Sequence, residues 1–153
     1  MKQPTHPFRT IQIICAALIA GVTFFLAAAF LVQNKISSDY DSNDRMLIIA
    51  ILLFFAGATS SFYLVKRFTT PAASSSLADK LNNYQTRMII RMALLEAPAF
   101  FAIVQFFLSG SLLYTLIPLF AIVLMAYMFP GKRKFIAEYE LSIDDEKAIR
   151  EMS

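Results

Sequence analysis

One cysteine, one histidine and four glycines in 153 residues close off much chemistry before any pattern is sought. Cys15 lies inside an apolar run, so the chain has neither an intramolecular disulfide nor a paired redox thiol. His6 lies outside every apolar run, which excludes a haem held between helices by paired imidazoles, and a zinc site would lack its nitrogen and sulfur ligands. No nucleophile and base, metal cluster or cofactor motif can be assembled from residues inside the apolar segments. An enzyme is therefore not expected, and no cofactor or metal is implied. Charge is scarce as well, with Asp, Glu, Lys and Arg making up 16% of the chain.

What fills the chain instead is hydrocarbon: 58% hydrophobic residues, fifteen of them Phe, with a mean hydropathy of +0.58. These values lie outside the range of soluble domains and point to an integral membrane protein whose first partner is the lipid bilayer. A net charge of +3 and a pI near 9.1 would suit a polyanion. The basic residues, however, cluster at the ends of apolar segments, where membrane topology accounts for them, so nucleic acid is not an expected partner.

After a polar lead (residues 1–10), residues 11–33 run without charge for about 34 Å of helix, enough to cross a hydrocarbon core of about 30 Å. Lys2 and Arg9 precede this run and Ala27-Ala28-Ala29 lies within it, as in a secretory leader. The run nevertheless outlasts a leader's apolar core, so a retained membrane helix is expected. The polar loop 34–45 holds Asp39, Asp41 and Asp44 at roughly calcium-loop spacing, but lacks the glycine and closing glutamate, so a solvated loop is expected. Residues 46–65 form a second span, in which Gly57 and Ser61, four apart, offer a small-residue packing face, as do Ala17 and Gly21 in the first. Ser76-Leu77-Ala78-Asp79 reads as a capping box, and a surface helix with Leu77, Leu81, Tyr84 and Met88 as its stripe, Lys80 and Arg87 flanking, runs into a third span at 88–108. The three-residue link Ser109-Gly110-Ser111 makes the third and fourth spans neighbours. In the fourth, 112–129, Pro118 is expected to bend the helix as Pro98 does in the third. Ser142-Ile143-Asp144-Asp145 then looks like a cap before a short helix at 146–152 in the charged tail 131–153.

The expected fold is thus all-α: four transmembrane helices in two antiparallel hairpins, a helical extension before the third, and a short charged tail. Lys2, Arg9, Lys66, Arg67, Lys80, Arg87, Lys132, Arg133 and Lys134 fall on one side of the membrane and only Lys35 and Arg45 on the other. The positive-inside rule then puts both termini and the middle loop in the cytoplasm, for a bacterial inner-membrane protein.

Glu96 is the chemical focus. It lies about 8 Å deeper than Arg91, and at that depth the second helix presents Thr59, Ser60 and Ser61 and the fourth presents Tyr127. These are the expected hydrogen-bond partners of Glu96, as a neutral donor beside the Pro98 kink or as a proton- or cation-coupled group. Arg91 sits about 140° around the helix from Glu96, so it is read, with Lys132, Arg133 and Lys134, as an interfacial anchor reaching lipid phosphates.

The run from Arg91-Met92-Ala93-Leu94-Leu95-Glu96-Ala97-Pro98 to Phe101, with Leu108-Ser109-Gly110, resembles a pattern of small bacterial four-helix integral membrane proteins. The resemblance covers the second hairpin and carries no activity with it. Small multidrug transporters place their membrane glutamate in the first helix, and rotor-ring proteolipids need glycine-rich helices, so neither matches. A structural or accessory protein, acting by helix packing and through its tail, is the first expectation. A transporter or channel protomer built around Glu96, in a homo-oligomer, is the alternative.

Overall fold

The computed structural model describes residues 7–37, 44–65, 75–139, 141, 145–147 and 149. All regular elements among them are helical: α1 (Pro7–Val32), α2 (Arg45–Thr59) continued by a π turn (Ser60–Leu64), α3 (Leu77–Ser109), a 3₁₀ turn (Leu112–Thr115) leading into α4 (Leu116–Tyr127), and α5 (Lys132–Glu138). Three helices are long and apolar enough to cross a membrane. A fourth crossing requires α4 with its 3₁₀ turn to be taken together with α5, which is bent 78° away.

The third helix organises the rest, packing on α1, α2 and α4. Its 33 residues run unbroken from surface stripe to span. Met88, Met92, Leu95, Ala99, Ala102 and Phe106, at spacings of four and three, are all 2% exposed or less, so one narrow stripe faces the other helices along its whole apolar length. Its ends are set locally. Ser76 Oγ accepts from Asp79 N at 3.2 Å and donates to the Asp79 carboxylate at 2.7 Å. At the other end Gly110 takes φ 73° and its N–H closes on Phe106 O, a left-handed stop natural to glycine. Lys80 and Arg87, expected to flank the stripe, are instead 6% and 1% exposed.

Pro98 lacks an N–H, so the carbonyl of Leu94 loses its intrahelical donor. Gly57 of α2 packs onto that carbonyl so closely that a Cβ there would stand 2.3 Å from Leu94 O. Only the Cα hydrogens of glycine fit, and they supply a weak C–H···O contact to the freed oxygen. Pro118 sits at a change of helix type. It is the third residue of α4, and the change from 3₁₀ to α winding falls just before it.

The two ends of the bundle are tied differently. At one, Ser37 bridges the α3–α4 turn through Ser37 N to Gly110 O and Leu112 N to Ser37 O, both 3.0 Å, while Gln33 Nε2 donates to Phe106 O and Phe107 O. Asp44 caps α2 and accepts from Tyr114 Oη at 2.6 Å. At the other end, α5, read from sequence only as part of a charged tail, and Ile149, within the short helix expected at 146–152, fold back over Phe8, Tyr84 and Met88. Asp39, Asp41, Lys66, Arg67 and the cap at Ser142 lie outside the described residues.

Candidate functional site

The structure does not assemble the polar cluster expected around Glu96. Ser61 is fully buried, but its hydroxyl donates to Arg91 O at 3.4 Å and lies 3.9 Å from Met128 Sδ. Ser60 lines a groove of about 520 Å³ with Gly57 of α2 and Ile90, Leu94, Ala97 and Pro98 of α3. Thr59 is exposed, and Tyr127 is 73% exposed. Glu96 is half-buried and makes no hydrogen bond among the described residues. The reason is azimuth, not depth. Leu94 and Pro98 meet α2, and Glu96 lies about 200° of helix rotation from each of them, on another side of α3.

The polar chemistry the fold does concentrate begins more than one turn from Glu96, toward the α5 end. Arg87 and Arg91, four apart, point the same way, and both donate from Nη2 to Oε1 of Glu138 on α5, Arg91 at 3.2 Å. Arg87 Nη1 also donates to Tyr139 Oη at 3.1 Å, and Tyr139 passes the chain on to Asn83 Oδ1 at 2.7 Å. Burial pushes the Tyr139 phenol above its ordinary pKa, with the Arg87 guanidinium beside it pulling the other way. The phenol is therefore a neutral donor at physiological pH.

Aromatic rings wall this network. Phe135 stacks on Tyr139 at 4.8 Å and meets Tyr84 and Phe8 edge-on at 5.1 and 5.6 Å, while the Arg87 guanidinium lies 5.6 Å from the Tyr139 centroid. With two guanidiniums on one carboxylate the cluster carries an excess positive charge, and the Nε atoms of both arginines are buried without a hydrogen-bond partner. Arg91, read as a lipid-facing anchor, has an 11% exposed side chain and an acidic partner instead. Among the other expected anchors, Arg133 is exposed and Lys132 half-buried, whereas Lys134 Nζ donates to the carbonyls of Tyr127 and Phe129 and so caps α4. Gln12 Nε2, donating to Pro130 O at 3.2 Å, fastens α1 to the same corner.

This arrangement ties α3 to α5 and to the residue that follows it. Glu138 Oε1 accepts from both guanidiniums, Tyr139 Oη from Arg87, and Asn83 Oδ1 from the Tyr139 phenol. The sequence contained part of a signal for it: Tyr84, Arg87 and Arg91 share one face of α3, and Phe135 and Tyr139, four apart, would share one edge of a helix running through them. Comparison with protein-family models, curated proteins and solved structures gives no match.

Proposed function

We propose that this chain is a four-span bacterial inner-membrane protein with both termini and the middle loop in the cytoplasm, and that it works as a structural or interaction component. On this reading it presents a rigid cytoplasmic cap on a small helical bundle. The observation that carries the reading is the buried pairing of Arg87 and Arg91 with Glu138, extended through Tyr139 to Asn83. A tail needed only as solvated charge would not bury an ion pair, because desolvating charges is costly unless the geometry is fixed. The cap leaves Arg133 exposed on α5, beside Lys134, which secures the end of α4, as a surface for a cytoplasmic partner or anionic headgroups.

The alternative, a protomer of a proton- or cation-coupled transporter, draws on Glu96, which has no hydrogen-bond partner among the described residues. Reconstitution into liposomes separates the two. The structural reading expects no coupled flux; flux that disappears in Glu96→Gln, with the fold unchanged, would overturn it. Topology is checked by single-cysteine labelling, with Ser38→Cys reached from outside the cell and Ser75→Cys only from the cytoplasm. The reverse pattern would invert every depth assignment.

A further inference from the structure

Among the described residues, Glu96 is the ionisable side chain set deepest in an apolar span, and the fold gives it no hydrogen-bond partner. Its surroundings are fixed by the register of α1 on α3. The ring pairs Phe8–Tyr84, Phe25–Phe100 and Phe30–Phe106 occur in the same order along both helices at a nearly constant offset, so the two run parallel. Four residues before Phe25 is Gly21, and four before Phe100 is Glu96. One turn from the ring contact, these two residues are therefore level along the same seam. A Cβ on Gly21 would meet no atom within 4 Å, so the seam is open there, and Ala17, one turn further on, is small and exposed.

We propose that Glu96 is completed by a second copy of this chain, docked in parallel along the α1–α3 seam about a two-fold axis normal to the membrane. Membrane topology is the same for every copy, so such an axis sets residue 96 of one copy at the depth of residue 96 of the other. A neutral carboxyl is both donor and acceptor and matches itself, forming two hydrogen bonds across the axis. Lipid tails offer neither group, and an unrelated helix would have to bring its own polar residue to the same depth. Gly21 and Ala17 allow the close helix approach that this pairing needs. The inference rests on the bilayer placement of Glu96 proposed above and is independent of the cytoplasmic cap.

The test is subunit counting of the full chain in liposomes over a range of protein-to-lipid ratios, with thermal unfolding of each variant alongside. Wild type and Glu96→Gln should dimerise alike, since the amide also donates and accepts. Glu96→Ala should weaken pairing about tenfold, the loss of two ordinary interhelical hydrogen bonds. Gly21→Leu should do at least as much while leaving the monomer folded, because its side chain enters open space. That variant decides the matter if Glu96→Ala unfolds. A wild type that stays monomeric, a closed ring of higher order, loss of pairing in Glu96→Gln, or dimers of Gly21→Leu as stable as wild type would each overturn the proposal. With labelling that still places the loops as proposed, any of these sinks the dimer alone; reversed labelling sinks the bilayer reading beneath it.

Discussion

Two glycines that look alike in the sequence should respond oppositely to alanine. At Gly57 the added methyl would stand 2.3 Å from Leu94 O and 3.5 Å from Pro98 Cγ. The obstacle at 2.3 Å is backbone in a helix whose neighbouring residues Leu95 and Ala99 are fully buried, so it cannot swing aside. Restoring an ordinary contact requires α2 to retreat by roughly 1 Å, which forfeits between a quarter and a half of the dispersion attraction of the atom pairs at the crossing. The Ser61 hydroxyl, already 3.4 Å from Arg91 O, would pass out of hydrogen-bond range, and the carbonyl freed by Pro98 would lose its C–H contact. Overpacking of this kind costs about 1–3 kcal/mol, offset in part by roughly 0.5–1 kcal/mol of helix propensity that alanine gains over glycine. Gly57→Ala should therefore unfold at a lower temperature than wild type, and Gly21→Ala, with open space around its Cβ, at the same or a higher one. Circular dichroism melts of both variants as detergent-solubilised monomers give the order. A Gly57→Ala melt equal to or above wild type would refute the close approach of α2 to α3.

Glu138→Ala should leave two buried guanidiniums facing each other and destabilise the α5 end by about 3–5 kcal/mol, read as faster hydrogen exchange over 132–139 while α2 is unaffected. Tyr139→Phe removes the link from Arg87 to Asn83 and should cost less, about 1–3 kcal/mol, in the same assay. Asp44 should give an acid-sensitive cap: the Tyr114 hydroxyl, aided by Leu47 N and Met46 N, holds its carboxyl below the ordinary 3.8. Because the folded pKa is depressed, that stabilisation is complete above the ordinary value, declines as the pH falls past it and vanishes below the folded value. Asp44→Asn still caps but does not titrate, so the acid limb of a stability-versus-pH curve should flatten; an unchanged limb would show that other carboxylates govern it.

Helix positions were legible in the sequence because each has a local cause. Ser76 and Asp79 start α3, Gly110 stops it, and uncharged runs set the lengths of the first two spans. That the small-residue patch on α2 is a packing face was legible too, but not that it meets the carbonyl freed by Pro98. The surroundings of Glu96 were not. Rise per residue gives depth from one helix alone, but azimuth depends on which neighbours flank that helix, and no pattern within α3 states that Leu94 faces α2 and Phe100 faces α1. The cap was missed for a different reason. Seven residues carry too little periodicity to announce α5, and Arg87 and Arg91 resemble ordinary boundary cations until an acid from the tail is brought to them.

The irregular turns of α2 and α3 answer one another, and this explains why the hydroxyls near the crossing do not serve Glu96. Pro98 frees a carbonyl and Gly57 covers it; one turn further along α2 the helix widens into the π turn, with Val65 N closing on Ser60 O five residues back. The extra residue in that turn shifts the azimuth of the helix end, and Ser61, inside it, faces α3 and reaches Arg91 O. The polarity of α2 is thus engaged by the backbone of α3 on the side where Leu94 and Arg91 present their carbonyls. On the topology proposed above, a carboxyl on the α1 side of the same helix would face hydrocarbon, where it is costly until something outside the single chain meets it.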